Sequence, residues 1–402
     1  MNPAPRLIAE RLRGKRIAVT GGTGFIGGRL VEQLVNDYAI RPVVLVRSKS
    51  HDGRLRRIGG TVELASAAIT DQAAVNAALK GCNLVFHCAY DWTNHVANLQ
   101  GVRNLIEACL SNRARLVHVS TFAIYEPFPD QKLTEDVPAK GRGVGYPYSV
   151  NKLELDTEII GAVGSRGLNA VILMPTIVYG ANGGWTRNPV RRLLTGSVIL
   201  PGAGDGLCNA VHVDDVCQAL LLAAVVPGAQ GRQYFVSAAA PVTWLAFFES
   251  YAQIVGVPGP RCATQVPAQS EPKTLSATQI AAQSEPKTVI ARAGVKHLLM
   301  SPFRAVARST LTRRIVKWML ARLGDKANSW AKRLYHRHAA PVAVHSLEGT
   351  LYSAKCHIVI DKIVRELGYA PAYNLECGMA ATAPWIRDNF HDEIAAIGNR
   401  ER

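Results

Sequence analysis

Two clusters in this chain have residue types and spacings that can do chemistry. The first is Gly21-Gly22-Thr23-Gly24-Phe25-Ile26-Gly27. Glycine lets a backbone turn tightly and lets bare N–H groups come close to an anion. Between a strand and a helix, such a turn seats a pyrophosphate against the positive end of the helix dipole. Arg16-Ile17-Ala18-Val19-Thr20 reads as that strand and residues 28–35 as that helix, the context a dinucleotide-binding fingerprint requires. The second cluster is Tyr148-Ser149-Val150-Asn151-Lys152. Residues four apart share a helix face. An ammonium held near a phenol oxygen favours the phenolate, and a tyrosine of lowered pKa exchanges a proton with a substrate hydroxyl near neutral pH. Thr121, just past an apolar run, offers a hydroxyl to orient the same substrate oxygen. Alone, each feature has a plainer reading: a flexible turn, a solvated helix face, a strand-end cap. In sequence one behind another they become specific.

These groups need elements to hold them. Strand-like runs follow at Val43-Val44-Leu45-Val46, Thr61-Val62-Glu63-Leu64, residues 83–89 and residues 115–120, with helical runs between them such as 71–79 and 98–110. A sixth strand is expected at residues 170–174, stopped by Pro175. Apolar strands alternating with helices imply a parallel sheet covered on both faces. The fold expected is therefore α/β, a Rossmann-type doubly wound parallel sheet. A smaller, mostly helical C-terminal substrate lobe follows, including helices at 244–255, 361–368 and 375–389. The division expected is 1–240 for the nucleotide-binding domain, with part of the substrate site within 180–212, and 241–402 for the lobe. Inside the lobe lies a direct tandem repeat, 263–276 (ATQVPAQSEPKTLS) followed by 277–290 (ATQIAAQSEPKTVI). Two copies are too few for a solenoid and read as a duplicated polar linker.

The chain has 402 residues, 48% of them hydrophobic, and a formal net charge of +16. Residues 291–340 hold twelve Lys or Arg against one acid, Asp325, so +11 sits in one segment. Within it, residues 311–323 have partial helical amphipathicity, with Arg313, Arg314 and Lys317 on one side. Two readings stay open: peripheral docking on an anionic membrane surface, or packing of a basic helix on the enzyme's own C-terminal lobe. Neither zinc-finger spacing nor an aromatic RNA-binding signature accompanies the charge, which argues against nucleic acid. No apolar run approaches the about eighteen residues of a membrane span, and the first thirteen residues lack a leader core. Eight cysteines without a CxxC read as reduced thiols, and the expected location is cytoplasmic. Asp214 and Asp215 read as structural, His87, His118 and His212 as satisfied core residues, and no metal is expected.

The chain resembles the extended short-chain dehydrogenase/reductases, the NAD(P)-dependent epimerase/dehydratase family, over roughly residues 15–250. The matching pieces run in family order: 20–27, 85–89, 98–105, Ser120-Thr121-Phe122-Ala123-Ile124-Tyr125, Tyr148 with Lys152, Pro175-Thr176-Ile177-Val178-Tyr179-Gly180, and His212-Val213-Asp214-Asp215-Val216; residues 361–371 resemble the closing motif. The resemblance implies Tyr148 as catalytic acid/base, Lys152 as its partner and a nicotinamide-ribose ligand, and Thr121 as the orienting hydroxyl. It implies a cofactor site of Gly21, Gly24, Phe25, Ile26, Gly27, Ala89 and Lys152, with Pro175, Ile177 and Val178 beside the nicotinamide. A homodimer is carried as a partner expectation. Departures are informative. Arg47, with Lys49 nearby, stands where NAD-preferring members carry an acid, which tilts the cofactor from NAD toward NADP. Phe122-Ala123 replace the Asp-Glu pair of the 4,6-dehydratases, which disfavours dehydration. The stretch before His212 lacks the arginine that grips a nucleotide-sugar diphosphate; Arg187, Arg191 and Arg192 are substitutes to test. The leading reading is an epimerase or dehydrogenase/reductase acting on a carbinol carbon of a nucleotide-sugar. The alternatives are a hydroxysteroid-like or other lipidic alcohol, and a non-catalytic nucleotide-binding scaffold, against which the intact Thr121, Tyr148 and Lys152 speak.

Overall fold

A computed structural model describes residues 4–47, 53–56, 58, 61–140, 147–265 and 346–398 of the chain. The basic segment, its expected helix and nearly all of the tandem repeat lie outside the described residues, as does Lys49.

Seven strands build one sheet: β1 (Ile17–Thr20), β2 (Val43–Val46), β3 (Glu63–Ser66), β4 (Leu84–His87), β5 (Arg115–Val119), β6 (Ala170–Pro175) and β7 (Gln233–Val236). Their spatial order is β7-β6-β5-β4-β1-β2-β3, and every pairing is parallel. Strands β1, β2, β4 and β6 are buried along their whole length, as their unbroken apolar runs require when helices cover both faces. The order reverses between β1 and β4, so the crevice beyond their carboxyl ends is where a ligand belongs in such a sheet. The register there puts Thr20 beside His87.

Two strands differ from expectation. The third begins at Glu63 rather than Thr61, because its pairing starts where Glu63 N donates to Pro42 O at 2.9 Å. The sixth runs on through Pro175, which pairs with Val236. Strand β7 has no counterpart in the sequence reading. It lies on the sheet edge and is covered: Lys362 Nζ donates to Gln233 O at 3.0 Å and the Tyr234 hydroxyl to Glu366 Oε2 at 2.8 Å. Closing an open edge with a return of the chain is a common solution.

Eight helices bear on the site: α1 (Ala4–Leu12), α2 (Phe25–Asn36), α3 (Gln72–Leu79), α4 (His95–Asn112), α5 (Pro147–Arg166), α6 (Gly184–Leu194), α7 (Val213–Val225) and α8 (Trp244–Val255). Asp71 caps α3 by accepting from Ala74 N at 3.0 Å. Gly256, at φ +69°, ends α8 in the left-handed conformation glycine tolerates. Helix α1, not anticipated, buries Ile8 and Leu12.

The C-terminal region is mostly helical. Here α8 packs between α6 and α9 (Leu375–Asn389). Its core is aromatic: Trp244, Phe247, Phe248, Tyr251 and Tyr352 are each 2% exposed or less. Two carboxylates fasten this region to the sheet's helices. Asp214, paired with Arg29 of α2 at 2.5 Å, accepts from the Tyr373 hydroxyl at 3.4 Å. Asp215 accepts from Ala372 N at 2.8 Å and Tyr373 N at 3.2 Å. Both open α7 in its first turn, where carboxylates favour the dipole. Among the described residues no helix is long and apolar enough to cross a membrane.

Candidate active site

The glycine turn closes onto the end of β4. Gly21 sits at φ +71°, and a Cβ there would lie 2.6 Å from Ala89 N and from the Cys88 carbonyl carbon. A Cβ on Gly27 would lie 2.5 Å from Gly21 O. Gly24 N donates to Gly21 O at 2.9 Å, and Gly24 caps α2 with no side chain offered to the first turn. Phe25 and Ile26 open the helix. The cradle thus has exposed donors, a positive dipole end and no side-chain Cβ in the way, and it fits the pyrophosphate of NAD(P). Ala89 N reaches the Thr20 hydroxyl at 3.4 Å.

Arg47 extends from the end of β2 with its side chain 84% exposed, 3.4 Å from Asp91. A second guanidinium was missed in the sequence. Arg54 lies across the first turn of α2: Nη1 donates to Gly24 O at 3.0 Å and Phe25 O at 3.2 Å, and Nε to Glu32 Oε1 at 2.6 Å. It is packed onto Gly28, where a Cβ would meet its Nη1 at 2.6 Å. Nothing in the basic loop sequence singles out this arginine from its neighbours.

Tyr148 and Lys152 stand on the first turns of α5, facing Thr121 at the end of β5. Thr121 does two things. Its Oγ1 accepts from Ala123 N at 3.2 Å, capping the turn Phe122–Tyr125, and its side chain neighbours the Tyr148 phenol, pulling the phenol's pKa down. Lys152 departs from expectation. Its ammonium donates to Val119 O at 2.8 Å and lies 4.6 Å from the centre of the Tyr90 ring, instead of at the phenol oxygen. Burial pushes the Tyr148 phenol above its ordinary value, with Thr121 pulling the other way. The phenol is therefore in its acid form in the described state. Three aromatic rings gather here: Trp92 stacks on Tyr148 at 4.6 Å and 19°, and Tyr90 meets both edge-on.

Beneath the site runs a buried polar chain. Ser120 Oγ donates to Asp156 Oδ2 at 2.5 Å, and Thr20 Oγ1 pairs with His87 Nδ1 at 2.7 Å. His87 fits the reading of a satisfied core histidine, and His212 Nδ1 accepts from Asp214 N at 3.4 Å. His118 does not fit. Neither of its ring nitrogens is hydrogen-bonded, although Nε2 lies 3.5 Å from Asp156 Oδ1, itself unpartnered. Desolvation raises the Asp156 carboxyl and lowers the Lys152 ammonium, and the two charges oppose those shifts.

Of the residues expected beside the nicotinamide, Pro175 closes β6, while Ile177 and Val178 lie in the short strand Ile177–Tyr179 paired with Ala210–His212. Ile177 lines a small, partly open cavity of about 10 Å³, with Phe122, Phe128, Leu207, Trp244, Leu351 and the polar Asn209. Asn209 holds the place before His212 and is fully engaged there: Nδ2 donates to Cys356 O at 2.8 Å, and Oδ1 accepts from Ile358 N at 3.0 Å. The arginine substitutes are engaged by aromatic residues. Arg187 and Arg191 lie over the rings of Trp385 and Phe390, and Arg192 Nη1 reaches the Tyr352 hydroxyl at 3.3 Å.

The sequence profile of the NAD dependent epimerase/dehydratase family matches residues 17–237. A 4-hydroxy-2-methyl-3-oxo-4-farnesyl-3,4-dihydroquinoline-1-oxide ketoreductase of Stigmatella aurantiaca is 28% identical, over 60% of this chain and 74% of its own. A 2-alkyl-3-oxoalkanoate reductase of Stenotrophomonas maltophilia is 30% identical, over 60% and 76%. Among solved structures, dTDP-glucose 4,6-dehydratase of Streptomyces venezuelae, with NAD bound, superposes with a TM-score of 0.65 at 20% identity, over 94% of this chain and 98% of its own.

Proposed function

Since the chain belongs to the NAD dependent epimerase/dehydratase family, we propose that it is an NAD(P)-dependent reductase or dehydrogenase acting on a ketone or secondary alcohol with an apolar, lipidic or ring-bearing body. The observation that carries this reading is the apolar surround of Tyr148, on which the Trp92 and Tyr90 rings pack, while Phe122, next to Thr121 in the chain, lines a small cavity with Phe128, Ile177 and Trp244. A nucleotide-sugar would need a cation for its diphosphate. The stretch 206–211, where one is expected, holds none, and Asn209 within it is committed to holding residues 356–358. The two reductase relatives act, by their names, on oxo groups carried by alkyl or farnesyl bodies, which supports the same class. The nucleotide-sugar reading therefore passes to second place, and elimination chemistry stays disfavoured because no Asp-Glu pair follows Thr121.

Bound nicotinamide supplies the hydride, or accepts it, at the carbinol carbon. The chain's own residues manage the proton. A carbonyl oxygen is received by the neighbouring Tyr148 and Thr121 hydroxyls. Thr121 fixes the oxygen. As the carbon is reduced, the Tyr148 hydroxyl gives its proton to the developing alkoxide. Lys152, one turn away on the same helix face, is the cation that offsets the phenolate left behind. The test is oxidation of NADPH and NADH by purified protein against long-chain and aryl ketones, with UDP-glucose and dTDP-glucose as competitors. Turnover of a nucleotide-sugar and of no ketone would replace this reading with the second one.

The cofactor part of the proposal favours NADP(H). Among the described residues, Arg47 at the end of β2 and Arg54 across the start of α2 are the cations that support this preference. Arg47→Asp is expected to turn the preference toward NAD(H). Arg54→Ala is expected to weaken NADPH about tenfold while NADH changes less than about threefold, since a phosphate loses a charge-assisted partner and a ribose does not. Fluorescence titration of each reduced cofactor measures both. Equal losses for the two cofactors would mean that Arg54 only braces the glycine turn.

A further inference from the structure

Trp92 stands out because it is both exposed and engaged. Its side chain is 65% exposed, yet its indole lies stacked on the Tyr148 ring. Tyr90 braces both rings edge-on and has the Lys152 ammonium on its own face. The backbone beneath the indole is fixed. Asn98 of α4 clamps Asp91 from both sides, its Oδ1 accepting from Asp91 N at 2.8 Å and its Nδ2 donating to Asp91 O at 2.9 Å. Asp91 Oδ1 in turn accepts from Thr93 N at 2.9 Å and the Thr93 hydroxyl at 2.7 Å. Any movement that uncovers Tyr148 is therefore a rotation of the Trp92 side chain and not of its loop.

The surroundings continue the same chemistry. The exposed large apolar side chains among the described residues are Leu7, Trp92, Val96, Val150 and Val364. Three of these five sit on the segments that frame Tyr148. Val96 is in the first turn of α4 and Val150 in the first turn of α5, and the two turns are joined by Asn151 Nδ2 donating to His95 O at 3.4 Å. Exposed apolar residues scattered singly need no account, but three around one catalytic phenol do.

Resting on the apolar-carbonyl reading above, we propose that Trp92 is the specificity-determining residue of this site. It covers the Tyr148 ring when no substrate is bound. It turns aside as the carbonyl enters and then packs against the apolar or ring-bearing body of the substrate, with Val96 and Val150 extending that wall toward solvent. A flat indole rewards a planar ring or an alkyl chain by burial and stacking, and gives little to a body covered in hydroxyls.

The experiment compares 2-decanone and acetophenone with 2-butanone in NADPH oxidation by the full-length wild type, Trp92→Ala and Trp92→Phe. The ratio of kcat/KM for each large ketone to that for butanone is expected to fall about tenfold in Trp92→Ala, as loss of one stacked aromatic wall implies, and to recover by more than half in Trp92→Phe. An exposed side chain makes both variants expected to fold, which thermal unfolding checks, and the NADPH dissociation constant controls for damage to the cofactor site. A wild type that reduces ketones and a Trp92→Ala ratio within twofold of it would overturn the role of Trp92 and leave the ketone reading standing. A wild type that reduces none of the three ketones would overturn the ketone reading, and the role of Trp92 with it.

Discussion

Tyr148→Phe is expected to lower kcat by about a thousandfold, while the affinity for NADPH stays within about twofold of wild type. The two halves of this expectation rest on different parts of the structure. The substitution keeps the ring that Trp92 stacks on and that Tyr90 meets edge-on. It removes only the hydroxyl, the group beside Thr121. Cofactor affinity comes from the glycine cradle and the start of α2, on other elements. A positioned acid contributes typically 10²–10⁴ to such a step, and Thr121, already accepting from Ala123 N, is left only to orient the oxygen. Single-turnover NADPH oxidation with an apolar ketone, paired with a fluorescence titration of NADPH, reads both quantities. Turnover close to wild type would remove Tyr148 from the proton path and with it the mechanism proposed here.

The two chemical clusters were legible in the sequence because their information is local. Three glycines at fixed offsets and a tyrosine four residues before a lysine dictate a turn and a helix face, whatever surrounds them. The buried strands were legible for the same reason, since an unbroken apolar run such as Val43-Val44-Leu45-Val46 has few other destinations. What escaped the sequence depends on distant contacts. That the Lys152 ammonium goes to Val119 O and the Tyr90 ring follows from the burial of α5 against β5, which no spacing encodes. Strand β7 is four residues whose edge position is stabilised by residues 362 and 366, far along the chain. Arg54 differs from other loop arginines only in reaching Glu32 and the carbonyls of Gly24 and Phe25. His118 was read as a satisfied core residue because apolar neighbours in sequence suggested it. Its actual neighbours, Asp156 and His87, come from other elements. The missing diphosphate arginine is visible in the sequence as an absence, whereas the tie from Asn209 in the same stretch to residues 356–358 is a distant contact that only the structure shows.

Gly21→Ala is expected to cost far more than a change of one methyl group suggests, and Gly14→Ala shows why. Both glycines have positive φ, +71° at Gly21 and +73° at Gly14. A side chain in that left-handed region costs about 1–2 kcal/mol at either position. At Gly14 nothing lies within 4 Å of the added Cβ, so that cost is the whole effect, a fall in Tm of about 1–3 °C for a chain of this size. At Gly21 the Cβ meets backbone on the far side: Ala89 N and the Cys88 carbonyl carbon at 2.6 Å, the Cys88 oxygen at 2.7 Å. Backbone cannot rotate out of the way as the end of a side chain can. The turn and the end of β4 must separate, and the bond from Cys88 N to Thr20 O at 3.2 Å goes with them. Overpacking of this kind adds about 1–3 kcal/mol or more to the φ cost. It also displaces Gly24, whose N–H is bonded to Gly21 O, so the donors of the cradle lose their alignment. The expected result is a Tm loss about twice that of Gly14→Ala, together with a loss of NADPH binding that Gly14→Ala does not share. Thermal unfolding and NADPH fluorescence on the two variants decide it. If Gly21→Ala loses no more stability than Gly14→Ala and still binds NADPH, the close approach to β4 is not what makes glycine necessary there.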